Sequence, residues 1–208
     1  VFNCPSCGAE VVYFDAAVDK DTFHVNSSFQ CPTCHAQLDK KSLERSWNTY
    51  YDEPLGQMHR LVKYAPVLIN YQLGQHRLEK IPDKGDMSVL ERIDESRFDS
   101  WFPVHEMPDG ERKGKDGYHL KGITHLHHFY FPRALALFSR MWYEVDESQS
   151  ASSFVRFYVE GNCLGFTKMN RYSANHYSQV NRYFSGTLFV GSLVSEVSPA
   201  YAMTNKLK

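Results

Sequence analysis

Two Cys-x-x-Cys pairs near the start of the chain constrain its fold more than any other feature. Cys4 and Cys7 form the first pair and Cys31 and Cys34 the second, with 23 residues between Cys7 and Cys31. Each pair can place two thiolates on one side of a tetrahedral metal ion, with backbone N–H groups of the turn pointing at the sulfurs. The spacing therefore predicts a closed structural site with four protein ligands and no open position for catalysis.

Zinc is the metal that this pattern favours, although iron in the same four-thiolate geometry stays open. Disulfides are disfavoured because nothing marks the chain as secreted, and a dithiol redox site needs one Cys-x-x-Cys rather than two. His35 is a weaker alternative ligand, which we expect to be exposed. Strand candidates at 10–16 and 23–29, joined by a turn at 18–22, complete a predicted zinc ribbon over residues 1–38.

Length and composition leave room for a larger domain after the ribbon. The chain has 208 residues, of which 42% are hydrophobic and 14% aromatic, so we expect a real core. No run approaches about eighteen apolar residues, which predicts no transmembrane helix and no membrane partner. The chain begins at Val1 without a signal-peptide pattern, so we expect a cytoplasmic piece of a longer protein.

Residues 39–208 predict a mixed domain of helices and hairpins, so the predicted fold class is α+β. Residues 66–73 and 76–81 are expected to form a hairpin closed by Gly74 and Gln75, and 187–194 is a further strand candidate. The region 97–121 lacks clean periodicity and predicts a loop. Helices are expected at 39–51, 86–95, 132–145 and 154–170, and from Pro199 onward with Ser198 as the cap.

The two halves of the chain carry opposite net charges. Residues 1–110 carry −6 and residues 111–208 carry +5, within a total of −1. This asymmetry is compatible with a basic contact surface in the second half, and equally with a chance split between solvated faces. Two segments of the basic half contain residue types that contact phosphates and base edges.

The first of these segments runs from a Gly- and Lys-rich loop into a histidine run. Its candidate nucleic-acid contacts are Arg112, Lys113, Lys115, Lys121, His125, His127 and Arg133. The alternative interpretation is an ordinary exposed loop. Three histidines between His125 and His128 also suggest a metal site, which we disfavour because no carboxylate pair lies nearby in the sequence.

The second segment, 168–185, is rich in Arg, Asn and Tyr and has almost no carboxylate. These side chains suit phosphates, base edges and stacking, although a polar surface loop packed over its tyrosines is the alternative. Its candidate contacts are Lys168, Asn170, Arg171, Tyr172, Arg182 and Tyr183.

An ordered set of motifs resembles one family, the zinc-ribbon-bearing bacterial site-specific DNA amino-methyltransferases. The matching text is C-P-x-C-G-A-E with a following F-D-A-A-V-D, then C-P-x-C-x-A-x-L-x-K-x-S-L-E-R, P-V-L-I-N-Y (66–71), W-F-P (101–103), G-I-T-H-L-H-H-F-Y (122–130), N-R-Y (170–172) and S-G-T-L (185–188). The resemblance implies a target-recognition region from the middle of a restriction-modification type of enzyme. That enzyme would use S-adenosylmethionine to methylate adenine-N6 or cytosine-N4 in double-stranded DNA.

The resemblance also implies that the catalytic machinery lies outside this chain. The Gly-rich cofactor motif would precede it and the Asp-Pro-Pro-Tyr/Phe motif would follow it, so S-adenosylmethionine would bind the remaining methyltransferase domain. Residues 198–201, S-P-A-Y, superficially resemble that catalytic motif, but they have Ala at the third position and suit a helix start. We therefore expect no catalytic residue in this chain. The loop 173–184 departs from the family, since relatives are Gly- and Pro-rich there.

Two other hypotheses stand beside this one. The first is a zinc-stabilised protein-interaction scaffold that makes no DNA contact. The second is a stand-alone metal-dependent enzyme that uses the cluster from His125 to His128.

Overall fold

The chain divides into two compact units in the computed structural model, which describes residues 1–94, 100–148, 153–173 and 187–206. The first unit comprises Val1–Tyr50 and Arg60–Glu95, and the second comprises Tyr51–His59 and Ser96–Lys208. Helices and small antiparallel sheets make up the described residues, which confirms the predicted α+β class. The predicted ribbon, 1–38, lies within the first unit, whereas a domain boundary after residue 38 stays a prediction.

Short strands dominate the first unit. Within the described residues the strands are β1 (Phe2–Asn3), β2 (Glu10–Val11), β3 (Ser28–Gln30), β4 (Gln37–Asp39), β5 (Glu44–Arg45), β6 (Trp47–Asp52), β7 (Gln57–Val62), β8 (Ile69–Leu73) and β9 (His76–Lys80). They form one three-stranded sheet, in the order β2-β1-β5, and three two-stranded sheets, β3-β4, β6-β7 and β8-β9. The tip of the β6-β7 hairpin, Tyr51–His59, belongs to the second unit.

Aromatic side chains form the core beside the cysteines. Phe2, Tyr13 and Phe29 are buried, and the Tyr13 ring meets the other two edge-on at centroid distances of 5.6 and 5.7 Å. The predicted strand 10–16 is wrong beyond Val11, because helix α1 (Tyr13–Ala17) follows. Tyr13 and Ala17 are four residues apart and both buried, which is the spacing of a helical face.

The predicted strand 23–29 is largely wrong, because the strand is confined to β3. Phe23 has φ of +55°, in the left-handed region, and this conformation cannot belong to a strand. The predicted helix 39–51 is also wrong. That segment forms β5 and β6, and W-N-T-Y-Y-D has the aromatic and Thr content that favours a strand.

The side chain of Asp39 stabilises the turn that precedes β5. Its Oδ1 accepts hydrogen bonds from the N–H groups of Lys41 and Ser42, both at 2.8 Å, and the Ser42 hydroxyl donates to the Asp39 carbonyl at 2.8 Å. The residue therefore closes a turn between β4 and β5 instead of capping a helix.

The hairpin predicted at 66–81 is confirmed as β8 and β9. Gly74 lies in the turn with φ of +62°, where glycine carries no steric penalty. The predicted helix 86–95 is confirmed as α2 (Lys84–Asp94), and Asp83 is its cap. The Asp83 and Asp86 side chains each accept the other's backbone N–H, at 3.0 and 2.9 Å, which is a capping box.

Helices dominate the second unit. Its α-helices in the described residues are α3 (Glu111–Asp116), α4 (Pro132–Glu147), α5 (Ser153–Glu160) and α6 (Pro199–Lys206), and its 3-10 helices are Glu53–Leu55, His119–Lys121, Leu126–Phe129 and Cys163–Phe166. The predicted starts at Pro132 and Pro199 are confirmed, since proline suits the first helical position. Tyr118, Ile123, Phe129 and Phe166 are among the buried side chains of this unit.

Two predicted elements of the second unit are wrong in extent or type. The helix predicted at 154–170 ends at Glu160, where Gly161 follows and a 3-10 helix begins at Cys163. The strand predicted at 187–194 is absent from the described residues there, which contain an isolated bridge between Arg171 and Val194. The predicted loop 97–121 contains the short helix α3. Within the described ranges, no helix combines the length and apolar character needed to cross a bilayer.

Candidate metal centre

The first cysteine turn is closed by two backbone hydrogen bonds. The N–H of Gly8 donates to the Cys4 carbonyl at 2.8 Å, and the N–H of Cys4 donates to the Ala9 carbonyl at 2.9 Å. Gly8 has φ of +72°, and a Cβ atom built there would meet nothing within 4 Å. The glycine is therefore favoured by backbone conformation and not by lack of space.

The second turn repeats this arrangement. The N–H of His35 donates to the Cys31 carbonyl at 3.0 Å, and the N–H of Cys31 donates to the Ala36 carbonyl at 2.9 Å. His35 takes the place of Gly8 with φ of +59°, a conformation that histidine tolerates better than most side chains do. It is exposed, as predicted, and the group of possible ligands contains the cysteines without it.

The four sulfurs lie at the corners of a site that fits one metal ion. The Sγ atoms of Cys4 and Cys34 are 3.8 Å apart, those of Cys7 and Cys31 are 3.9 Å apart, and all four lie within 4.8 Å of one another. A tetrahedral zinc ion with Zn–S bonds of about 2.3 Å separates its sulfurs by about 3.8 Å. The donor set therefore fits zinc, and it fits iron by the same geometry.

Backbone N–H groups favour the thiolate form of two of the four cysteines, Cys31 and Cys4. For Cys7, a backbone N–H lowers the pKa, but hydrogen bonding to the Cys34 sulfur, burial and bonding to the other cysteines outweigh it and raise the pKa to about 12. Hydrogen bonds from the N–H groups of Cys34 and Thr33 lower the pKa of the Cys31 thiol to about 6. For Cys4, burial raises the pKa, but the N–H groups of its own turn outweigh burial and the net pKa is lowered. Because a metal ion binds the thiolate and not the thiol, both effects favour metal binding.

A second group of possible ligands lies in the second unit. The Oδ2 atom of Asp52 is 3.0 Å from His127 Nε2 and 2.8 Å from His128 Nε2. All three side chains are buried, with exposed fractions of 2%, 8% and 1%. The His59 ring stacks on His128 at a centroid distance of 4.0 Å. The sequence prediction missed Asp52 because it lies 75 residues before His127.

The hydrogen bonds of His128 decide which ring nitrogen carries its proton. The backbone N–H groups of Thr124 and His125 donate to His128 Nδ1 at 3.2 and 3.3 Å. Since Nδ1 accepts, Nε2 must carry the proton of the neutral ring and donate it to Asp52. A metal on Nε2 would move that proton to Nδ1, facing two donors, so the geometry favours a hydrogen-bonded carboxylate over a bound metal.

Burial sets the charge states of this cluster. It lowers the pKa of His128 to about 3 and also lowers that of His127, so both rings are neutral near pH 7. For Asp52, burial raises the pKa, but the hydrogen bonds from His128 and His127 outweigh burial and lower it. One buried carboxylate is thus stabilised by two neutral donors, as a buried charge requires.

The cations predicted on the loop 112–121 are paired with carboxylates. Lys113 is half-buried and Arg112 and Lys115 are exposed, all three on α3. Their ion pairs are Arg112–Asp116 at 3.7 Å, Lys113–Asp109 and Lys115–Glu111. Any phosphate contact by these groups would have to compete with neighbouring carboxylates.

Four other predicted contact residues lie in the interior of the second unit. Lys121, His127, Lys168 and Asn170 have exposed fractions between 0% and 8%. Lys168 Nζ donates to the His128 carbonyl at 2.8 Å, which holds its side chain within the unit. A phosphate contact needs a cation that faces solvent, so the described arrangement gives these residues structural contacts, and their role in DNA binding stays a prediction.

The remaining predicted residues are dispersed. Arg133 pairs with Glu196, while His125, Arg171 and Tyr172 are half-buried. Arg182 and Tyr183 lie outside the described residues.

Loss of one cysteine ligand should release the metal. We expect about one zinc ion per chain in the purified protein and much less in a Cys31→Ser variant, because three thiolates leave the site open. Elemental analysis measures the zinc content, and thermal melting with and without a chelator measures the stability that the metal contributes. Cys163→Ser is the matched control, since this fifth cysteine lies outside the cluster, and metal retained by Cys31→Ser would contradict the assignment.

Replacement of Gly8 by alanine should weaken the first turn. The left-handed conformation costs a non-glycine residue about 1–2 kcal/mol, while the open space around Gly8 excludes a steric contribution. When unfolding by denaturant is monitored through the release of zinc, the midpoint should therefore shift to a lower denaturant concentration. Gly114→Ala, in α3 and also open, is expected to be neutral or stabilising. Equal shifts for both variants would refute the conformational explanation.

Stability should fall as the pH is lowered below the ordinary histidine pKa. His128 stays neutral when folded, with a pKa of about 3, but takes up a proton near pH 6.5 when unfolded. The contribution of His128 to the free energy of unfolding is complete above pH 6.5 and decreases by about 2 kcal/mol between pH 7 and pH 5. Urea unfolding at several pH values gives the dependence of the unfolding free energy on pH, which should be shallower for His128→Gln than for the wild type. An NMR spectrum of the imidazole nitrogens should show the Nε2–H form of His128, whereas a protonated Nδ1 would contradict the hydrogen-bond assignment.

Comparison with known proteins does not place the chain in a family. No protein-family profile, curated protein or solved structure matches it. The functional conclusion therefore depends on the residues themselves, and above all on the four-sulfur cluster.

Proposed function

We propose that this chain is a zinc-stabilised DNA-recognition region of an S-adenosylmethionine-dependent site-specific DNA methyltransferase. The observation that carries the zinc part is the placement of four sulfurs at tetrahedral separations by two matching turns. The methyltransferase part is supported by the ordered set of motifs from the first cysteine pair to S-G-T-L at 185–188.

In this proposal the zinc ion is structural and would be held by the four cysteines of a zinc ribbon. All four ligands are protein sulfurs, so no coordination position is left for a substrate. The metal would join the two cysteine turns, in which Cys4 and Cys34 are 30 residues apart and Cys7 and Cys31 are 24 residues apart. It would thereby fix the strands around the cysteines.

The role of the chain would be to hold the DNA duplex while another domain of the same protein carries out methyl transfer. Methylation of a base requires that the base be extruded from the stack, and extrusion costs a few kcal/mol of unstacking energy. A recognition region that binds the flanking duplex would supply part of that free energy through phosphate and base contacts.

A second candidate, the protein-interaction scaffold, is supported by the surface of α5. Phe154 and Phe157 lie three residues apart on this helix and have exposed fractions of 69% and 71%. Residues at that spacing share one helical face, and neighbouring exposed aromatic side chains are typical of protein contact sites.

Binding of labelled duplex DNA tests the proposal directly. Fluorescence anisotropy should show binding that weakens steeply between about 50 and 200 mM salt, because phosphate contacts release counterions. The Phe154→Ser/Phe157→Ser variant should bind DNA as the wild type does. Absence of salt-dependent binding by the zinc-loaded wild type would refute the DNA-recognition proposal and leave the scaffold candidate.

A further inference from the structure

Four neighbouring exposed cations of the first unit have no ion-pair partner among the described residues, unlike the cations of the predicted basic loop. Lys40, Lys41, Arg45 and Arg60 are all exposed, and within the described residues no carboxylate lies within 4.0 Å of any of them. By contrast, the exposed Arg and Lys side chains of α3, and Arg140 on α4, each have an ion-pair partner. We call these four cations, with the Trp47 ring, the cation surface.

Strand alternation places two members of this surface side by side. Ser46 lies between β5 and β6, is buried and donates a hydrogen bond from Oγ to Glu10 at 2.8 Å. Because successive side chains of an extended backbone point to opposite faces, Arg45 and Trp47 share the face opposite Ser46. The guanidinium of Arg60, on β7, covers the Trp47 ring at 4.2 Å from its centroid.

The turn between β4 and β5 carries the two lysines, and Lys40 is near enough to Arg45 to respond to its charge. Lys40 is exposed, but its Nζ lies 5.5 Å from the Tyr13 ring, and partial desolvation there, followed by the charge of Arg45, lowers the pKa of Lys40. Lys41 follows directly in the turn, where its N–H binds the Asp39 carboxylate. That carboxylate also accepts hydrogen bonds from Ser42, so local backbone groups already satisfy it.

The charge of Arg45 acts on Lys40, and neighbouring like charges destabilise one another unless an anion binds near them. Lys63 shows the usual arrangement in the same unit, since it forms an ion pair with Glu10 at 2.7 Å. The cation surface has no such carboxylate in the described part of the chain. A ligand with several negative charges would relieve the repulsion that the isolated protein retains.

We propose that the cation surface of the first unit, formed by Lys40, Lys41, Arg45 and Arg60 around Trp47, binds the phosphate backbone of DNA. The inference rests on the proposed function and assigns its DNA contact to residues that the sequence did not single out. Arginine forks bind phosphate oxygens in pairs, and lysines add point charges, so this set suits a run of phosphates better than a single carboxylate. The Trp47 ring holds the Arg60 guanidinium by a cation–π contact.

Two variants that remove the same charge test this assignment. The first is Lys40→Gln/Lys41→Gln/Arg45→Gln/Arg60→Gln on the cation surface. The second is Arg112→Gln/Lys113→Gln/Lys115→Gln/Arg140→Gln, which removes four exposed or half-buried cations that have acidic partners. Anisotropy with labelled duplex DNA is measured for both and for the wild type over a range of salt concentrations. Zinc content and melting temperature verify folding.

The cation-surface variant is expected to lose roughly tenfold or more in affinity, and the slope of log K against log salt should become shallower by about 3–4. The second variant should keep most of the wild-type slope. If the cation-surface variant binds as tightly as the wild type, the inference is overturned while the proposed function stands. If the zinc-loaded wild type shows no DNA binding at any salt, the proposed function fails and this inference fails with it.

Discussion

Hydrogen bonds from backbone N–H groups to the cysteine turns are the constraint on which the first unit depends. Its sheets have two or three strands of two to six residues, and sheets this small are marginal without other support. The turns at Cys4 and Cys31 are built by the same pair of bonds, so their sulfurs converge without help from a large core. A metal ion there would couple the aromatic cluster around Tyr13 to both turns.

In the second unit, the buried carboxylate of Asp52 joins distant segments through hydrogen bonds. A buried carboxylate is costly unless donors surround it, and His127 and His128 supply two. Their bonds hold the tip of the β6-β7 hairpin and the 3-10 helix Leu126–Phe129 in one arrangement. The histidine run that suggested a metal site is therefore explained by a hydrogen-bond requirement, since His128 Nδ1 already accepts from two backbone N–H groups.

Local signals in the sequence predicted what local physics decides. Cysteine spacing predicted the convergence of the four sulfurs, Gly74 predicted a hairpin turn, and Pro132 predicted a helix start, because each depends on a few consecutive residues. The helix predicted at 39–51 is wrong because the helical spacing of Leu43, Trp47 and Tyr50 is coincidental. Strand pairing of Arg45 with Phe2 determines the structure there. The contact of Asp52 with His127 spans 75 residues, and no periodic pattern can reveal it.

Net charge summed over half the chain does not show where cations without acidic partners lie, for a physical reason. Residues 111–208 carry +5, yet the cations of α3 are paired with carboxylates on or beside that helix, whereas residues 1–110 carry −6 and contain the cation surface. Charges in about 0.15 M salt act over a Debye length of about 8 Å, so a ligand responds to nearby groups and not to the sum over a hundred residues. What a polyanion encounters is set by which carboxylates the fold places beside each cation. Around Arg45 and Arg60 the described fold places none within ion-pair distance.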